Sequence, residues 1–232
     1  MTLCIVLSLI GVTVLICYVK EKLSAYSPRE LMLKSAVSFF FIAVAIAAQA
    51  ISSKTYGCYV IAALVCGLLG DVWLDLKYVY PQDDETFTFA GFMAFGCGHV
   101  LFIAGLLIYY ADFSRPLYII IPALLGIVAG VVTGLSGPLM KLEYGKYKTI
   151  VMVYGALLFG VTALAGSLAI MNSFSIPVLN LMFIGGALFA ISDLVLSGTY
   201  FGEGKERPVD IILNYIFYYG AQFVIAWSLL FA

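Results

Sequence analysis

The sequence predicts an all-α integral membrane protein, an eight-transmembrane-helix bundle, on three observations. The 232-residue chain is 63% hydrophobic and 11% charged, more apolar surface than a soluble fold can hide. Apolar runs of about 20 residues, the length a helix needs to span a bilayer, recur along it. The runs are apolar throughout, whereas strands of a membrane barrel would alternate apolar and polar residues, and lipid admits no open sheet edge. Eight such helices leave chain for connections but not for a separate soluble domain, so residues 1–232 are expected to form a single transmembrane domain. The net charge of −1, from 12 basic and 13 acidic residues, lacks the clustered basic surface that nucleic acid would require.

Breaks at charged, glycine and proline clusters set the helices in order. The first covers 2–19; no basic residue precedes it and no small-x-small pattern follows, so it reads as a span and not as a signal peptide. The second and third cover 31–51 and 57–76. The fourth, 87–110, follows the acidic connection Gln82–Glu85 and carries Gly91, Gly98 and Gly105 every seven residues. The fifth, 116–136, carries Gly126, Gly130 and Gly134 every four, a spacing that lets neighbouring backbones approach closely. The sixth, seventh and eighth cover 148–170, 176–198 and 209–231. Pro122 and Pro177 stand near helix starts, where proline is harmless.

Basic residues set the orientation. Lys20, Lys22, Arg29, Lys34, Lys77, Lys141, Lys146, Lys148, Lys205 and Arg207 fall on one side of the bundle, and only Lys54 and Arg115 on the other. The positive-inside rule makes the first side cytoplasmic and both termini non-cytoplasmic. The five cysteines, Cys4, Cys17, Cys58, Cys66 and Cys97, lie in apolar runs without Cys-x-x-Cys spacing, as small buried hydrophobes do. Gly134-Leu135-Ser136-Gly137 resembles the nucleophile motif of rhomboid proteases, in which the histidine follows the serine. Here His99 precedes it and Pro138 places Ser136 at a helix end, so no serine nucleophile is expected.

Ionisable groups within the spans stand out, because an aspartate in hydrocarbon costs about 2.5–3.5 kcal/mol on insertion scales and is a functional candidate by default. Gly67, Asp71 and Asp75 are spaced i, i+4, i+8 and share one helix face, with a small residue beside the carboxylates. Asp71 lies about 7–8 Å inside the end of its helix, and Asp193 falls at nearly the same depth in the parallel seventh helix. The two are expected to meet across the bundle. Asp75 falls at the interface, where a solvated headgroup-level role competes with a catalytic one. His99 and Gln222 lie deeper, about 18–20 Å in. Tyr215, Tyr219 and Gln222 form one stripe on the eighth helix, with Asn214 and Tyr218 beside it.

Gly70-Asp71-Val72-Trp73-Leu74 is matched by Ser192-Asp193-Leu194-Val195-Leu196, and Gln222 follows Asp193 at nearly the separation by which His99 follows Asp71. Two four-helix parallel repeats, related by an axis along the membrane normal, would produce this pattern.

Taken together, Gly70-Asp71, the small-residue helix carrying His99, Ser192-Asp193 and Tyr218-Tyr219-x-x-Gln222 resemble the YhhN-type lysoplasmalogenase family over nearly the whole chain. The resemblance implies a multipass hydrolase, in a bacterial cell membrane or a eukaryotic endoplasmic reticulum, that cleaves the vinyl ether bond of lysoplasmalogens. Its products would be a fatty aldehyde and glycerophospho-ethanolamine or glycerophospho-choline.

The residues suit that chemistry. A vinyl ether is cleaved by protonating its outer carbon, after which water captures the oxocarbenium ion and the hemiacetal collapses. One acid and one anion are needed, and two aspartates close together in low dielectric do not both ionise readily. Asp71 and Asp193 are the expected catalytic pair, with His99 orienting a carboxylate or water. Tyr219 and Gln222 are expected to bind the substrate's glycerol or phosphate oxygens, with Asp75 and Tyr215 beside them. No cofactor or metal is expected, because a hydrolytic zinc site wants three protein ligands and this chain has one histidine. An oxygen-rich Mg²⁺ or Ca²⁺ site between Asp71, Asp75 and Asp193 is the metal-dependent alternative. A proton-coupled transporter using the same aspartates is the alternative function, and a scaffold whose aspartates only pair for packing is a third.

Overall fold

The computed structural model describes residues 1–24, 28–52, 54–202 and 207–232. Its helices are α1 (Thr2–Lys22), α2 (Pro28–Ser52), α3 (Tyr56–Val79), α4 (Asp84–Tyr110), α5 (Leu117–Leu135), α6 (Gly137–Met140), α7 (Lys148–Met171), α8 (Pro177–Phe201) and α9 (Pro208–Ser228). Eight of them are long and apolar enough to cross a membrane, so the chain is a multipass helical membrane protein. The short α6 is the exception, and the sixth to eighth predicted spans are therefore α7, α8 and α9. Lys205, one of the ten basic residues used for orientation, lies outside the described residues.

Several helices begin at a proline, and α1, α2, α3, α4 and α8 run past the apolar limits read from the sequence. Pro177 and Pro208 occupy first-turn positions, where a missing N–H costs nothing. α3 continues through Lys77 to Val79, because the Lys77 ammonium lies over the Tyr200 ring, 3.7 Å from its centroid, while the stem stays in the helix. α4 starts at Asp84, three residues before the predicted edge, and its acidic first turn suits the positive end of the helix dipole.

Six helices close a ring in the packing order α2, α3, α4, α7, α8, α9 and back to α2. α1 lies outside against α2, and α5 lies outside against α7. Lipid tails are as apolar as leucine, so association here depends on close packing and polar pairing more than on escape from water. The α5–α7 contact shows the first. A Cβ added to Gly130 would sit 2.4 Å from the Met152 carbonyl oxygen, and one on Gly126 would sit 2.7 Å from that of Ala156. Side chains at these positions would push two backbones apart. The second is concentrated at one end of the ring, where α2, α3, α7, α8 and α9 bring their polar residues together.

Candidate active site

A cavity of about 520 Å³ opens at the end of the bundle where α1, α3 and α8 finish. Lys22, Leu23 and Ser24 border its mouth, and Asp71, Asp75, Asp193, Lys34, Tyr154 and Tyr218 face it from the walls. On the other side it reaches the gap between α5 and α8, where Val132 and Leu194, both exposed on the outside of the bundle, line it. The space is polar at one end and apolar at the other.

One wall is built by α2, α3 and α9. Gly67, Asp71 and Asp75 share the α3 face as the spacing requires, and the missing side chain of Gly67 makes room for Gln222. A Cβ there would meet Gln222 Nε2 at 3.1 Å. Asp71 is buried, and its Oδ2 accepts hydrogen bonds from Ser38 Oγ and from the Tyr218 hydroxyl, each 2.7 Å long. Lys34 Nζ donates to Asp75 Oδ1 at 2.8 Å and stands 3.6 Å from Asp71 Oδ1. Gln222 Nε2 donates to the Tyr218 hydroxyl at 3.1 Å, and the Tyr219 hydroxyl donates to the Lys34 carbonyl at 3.4 Å. Asp71 thus faces two neutral donors and one cation.

The opposite wall is built by α4, α7 and α8. The Tyr154 hydroxyl donates to Asp193 Oδ2 at 2.5 Å, and His99 Nε2 lies 3.5 Å from the same hydroxyl. Since the Tyr154 proton is committed to Asp193, the tautomer that suits this chain carries its proton on Nε2. His99 Nδ1, buried, then has no partner among the described residues. The imidazole packs edge-on against Phe189, which in turn meets Phe95 and Tyr218. Beside Asp193, Asn214 Nδ2 donates to the Ser192 carbonyl at 3.0 Å, and Ser192 Oγ donates to the Asn214 carbonyl at 3.2 Å, which ties α8 to α9. Among the described residues Tyr154 is the single hydrogen-bond donor to Asp193, and no lysine or arginine pairs with it.

Asp71, Asp75, Asp193 and Tyr215 therefore line one cavity, whereas His99, Tyr219 and Gln222 stand behind its walls and act on it through Tyr154, Lys34 and Tyr218. Asp71 and Asp193 do not hydrogen-bond to each other; each belongs to its own network. The depth mismatch between the aspartates and His99 or Gln222 is bridged by tyrosine side chains. Tyr215 packs edge-on against Tyr18, 4.9 Å between ring centroids.

Three contributors escaped the sequence reading. Lys34 falls inside a predicted span and qualifies as an intramembrane charge by the rule that singles out the aspartates, although the positive-inside rule uses it only as a topology signal. Ser38 lies one turn beyond Lys34, on the face that turns toward Asp71. Tyr154 carries no signal that separates it from the other tyrosines among the chain's 16. As for metals, the Lys34 ammonium occupies the place between Asp71 and Asp75 that a bridging cation would need. Among the described residues no group of three His, Cys, Asp or Glu side chains could hold a metal ion.

No curated protein and no solved structure matches the chain. The sequence pattern of one family does match, over residues 30–229, a stretch that contains every residue of both walls. The protein belongs to the YhhN family, which includes lysoplasmalogenase hydrolases.

Proposed function

We propose that this protein hydrolyses the vinyl ether bond of lysoplasmalogens, with Asp193 as the acid and Asp71 as the anion. The observation that carries the reading is the unequal solvation of two carboxylates in one amphipathic cavity. Asp71 has a lysine and two hydroxyl donors, the surroundings of a carboxylate that stays charged. Among the described residues Asp193 has one hydroxyl donor and no paired lysine or arginine, the surroundings of a carboxyl group that keeps its proton.

In this scheme Asp193 transfers its proton to the outer vinyl carbon, leaving an oxocarbenium ion at the carbon bonded to oxygen. Asp71 faces that cation and takes a proton from the attacking water, giving a hemiacetal. Asp71 then returns the proton to the glycerol oxygen as the carbon–oxygen bond breaks, and the hemiacetal hydroxyl proton restores Asp193. One water is consumed, and a fatty aldehyde and a glycerophospho alcohol are released. Tyr154, backed by His99, fixes the Asp193 carboxyl, and Gln222 fixes the Tyr218 hydroxyl that serves Asp71.

The cavity supports a lysolipid as substrate. The headgroup takes the charged mouth near Lys22 and Lys34, and the hydrocarbon chain extends through the apolar gap between α5 and α8. With the basic connections on the cytoplasmic side, the mouth faces the cytoplasm. The packing order also supports two parallel halves: α1 on α2 corresponds to α5 on α7, α3 on α4 to α8 on α9, and α4 on α7 to α9 on α2.

The test is to incubate purified protein with lysoplasmalogen, and with its alkyl-ether analogue as control, and to measure aldehyde. Release from the vinyl ether alone, undiminished by a chelator, is expected. No aldehyde from the wild type would favour the transporter reading. Undiminished release from Asp71→Asn and Asp193→Asn would remove the pair from the chemistry.

A further inference from the structure

The ion pairs at the mouth are unevenly shared. Lys22 pairs with Glu30 at 2.5 Å, and both are largely shielded. That leaves one buried lysine, Lys34, against two buried carboxylates, Asp75 at 2.8 Å and Asp71 at 3.6 Å. Lys34 is thus shared between two carboxylates and donates its hydrogen bond to Asp75, with Asp71 farther off. Asp75 also lines the cavity, and while its Oδ1 is bonded to Lys34, its Oδ2 is buried and has no hydrogen-bond donor among the described residues. A carboxylate oxygen held out of water without a donor is costly, and more so where a second buried carboxylate shares the same lysine. The missing partner is a cation that carries N–H bonds.

We infer that Asp75 Oδ2 receives the primary ammonium of the lipid headgroup, so that the cavity prefers ethanolamine over choline. The inference rests on the lysoplasmalogen reading and names its headgroup. Asp75 stands one helical turn, about 6 Å, from Asp71 toward the mouth, the side from which a headgroup would approach. A primary ammonium offers three donors, can approach the oxygen directly and restores both charge and hydrogen bonding. A trimethylammonium offers no donor, and its methyl groups hold the positive centre away from the carboxylate, so it restores charge only weakly. Two of the cavity's rings, Tyr200 and Tyr78, already have the protein's own Lys77 and Lys22 over a face, which leaves less aromatic surface for a trimethylammonium.

The probe is a set of uncleavable 1-O-alkyl lysophospholipids that share one chain and carry ethanolamine, its mono- and dimethylated forms, or choline. Each would displace a fluorescent lysolipid from the purified full chain. Wild type is expected to bind the ethanolamine form about tenfold tighter than the choline form, with affinity falling at each methylation. In Asp75→Asn the ratio is expected to drop to about one. A flat methylation series, a ratio that survives Asp75→Asn, or failure of wild type to bind either lipid would overturn the inference. If Asp75→Asn does not fold, the wild-type series alone decides, and Asp75→Glu is expected to retain the preference. These ligands are not cleaved. A graded series without aldehyde release would sink the hydrolase reading and leave the headgroup site standing, while aldehyde release with a flat series would do the reverse.

Discussion

The two walls of the cavity hold the same functional group in opposite settings. On the α2–α3–α9 wall Asp71 has Lys34, Ser38 and Tyr218, a cation and two hydroxyl donors that favour a negative charge, although Asp75 shares the same lysine. On the α4–α7–α8 wall Asp193 has the Tyr154 hydroxyl, with the His99 imidazole behind it and aromatic rings around that. A membrane interior magnifies such differences, since little water is present to even them out. In the proposed scheme, what would separate the acid from the anion is the supporting residues one contact away, all contributed by other helices.

The comparison can be broken at several points. The largest expected effect is from Asp193→Asn, which removes the transferable proton and should lower aldehyde release about 10³-fold, within the range for loss of a general acid; a loss of less than tenfold would refute its role. Next, Lys34→Met should make the first wall resemble the second. It strips the cation from two buried carboxylates and should destabilise the fold by about 3–5 kcal/mol, read as an earlier unfolding transition in detergent. Tyr154→Phe strips the second wall of its donor. It should lower kcat about 10–100-fold with KM little changed and displace the pH profile of kcat, a signature that loss of packing alone would not produce. A His99→Phe variant should reproduce part of that displacement, because His99 reaches Asp193 only through Tyr154.

The smallest effect lies outside both walls. Asp112, exposed in the α4–α5 connection, accepts hydrogen bonds from Ser114 Oγ and from the Ser114 N–H. These hold its carboxyl below the ordinary carboxylate range, and the nearby Arg115 adds to them. A lowered folded-state value means that the associated stability is present above the unfolded value of about 3.9 and is lost as pH falls through the folded one. Ser114→Ala should therefore raise the Asp112 titration midpoint, seen by NMR, with no change in activity at neutral pH. An unchanged midpoint would show that the serine hydroxyl does not set it.

The eight spans were legible because a bilayer demands long apolar runs and the sequence supplies them. Their ends were less so. Hydropathy stops at the first charge, whereas α3 carries Lys77 within its last turn by laying the ammonium on Tyr200. The spacing of Gly67, Asp71 and Asp75 announced one wall, since a shared helix face is a local property. The partners of those aspartates are not local. Tyr218 reaches Asp71 across 147 positions, and Lys34 reaches Asp75 across 41. Nothing in the pattern around Tyr154 marks it as a tyrosine whose hydroxyl lands on Asp193. Lys34 could have been found: a lysine inside a span, one turn from Ser38, is a buried charge in search of a carboxylate.

The closure of the ring by α9 against α2 has a consequence for timing. Tyr218 and Gln222, which complete the surroundings of Asp71, and Tyr219, which holds the Lys34 carbonyl, all reside on a helix that leaves the ribosome after every other wall of the cavity. Until α9 is inserted, α2 and α3 hold a lysine and two aspartates that can neutralise one another only in part. The nascent chain thus carries Lys34, Asp71 and Asp75 through the synthesis of α4 to α8 without the Tyr218 hydroxyl, and Asp71 gains that donor only when α9 packs into the ring.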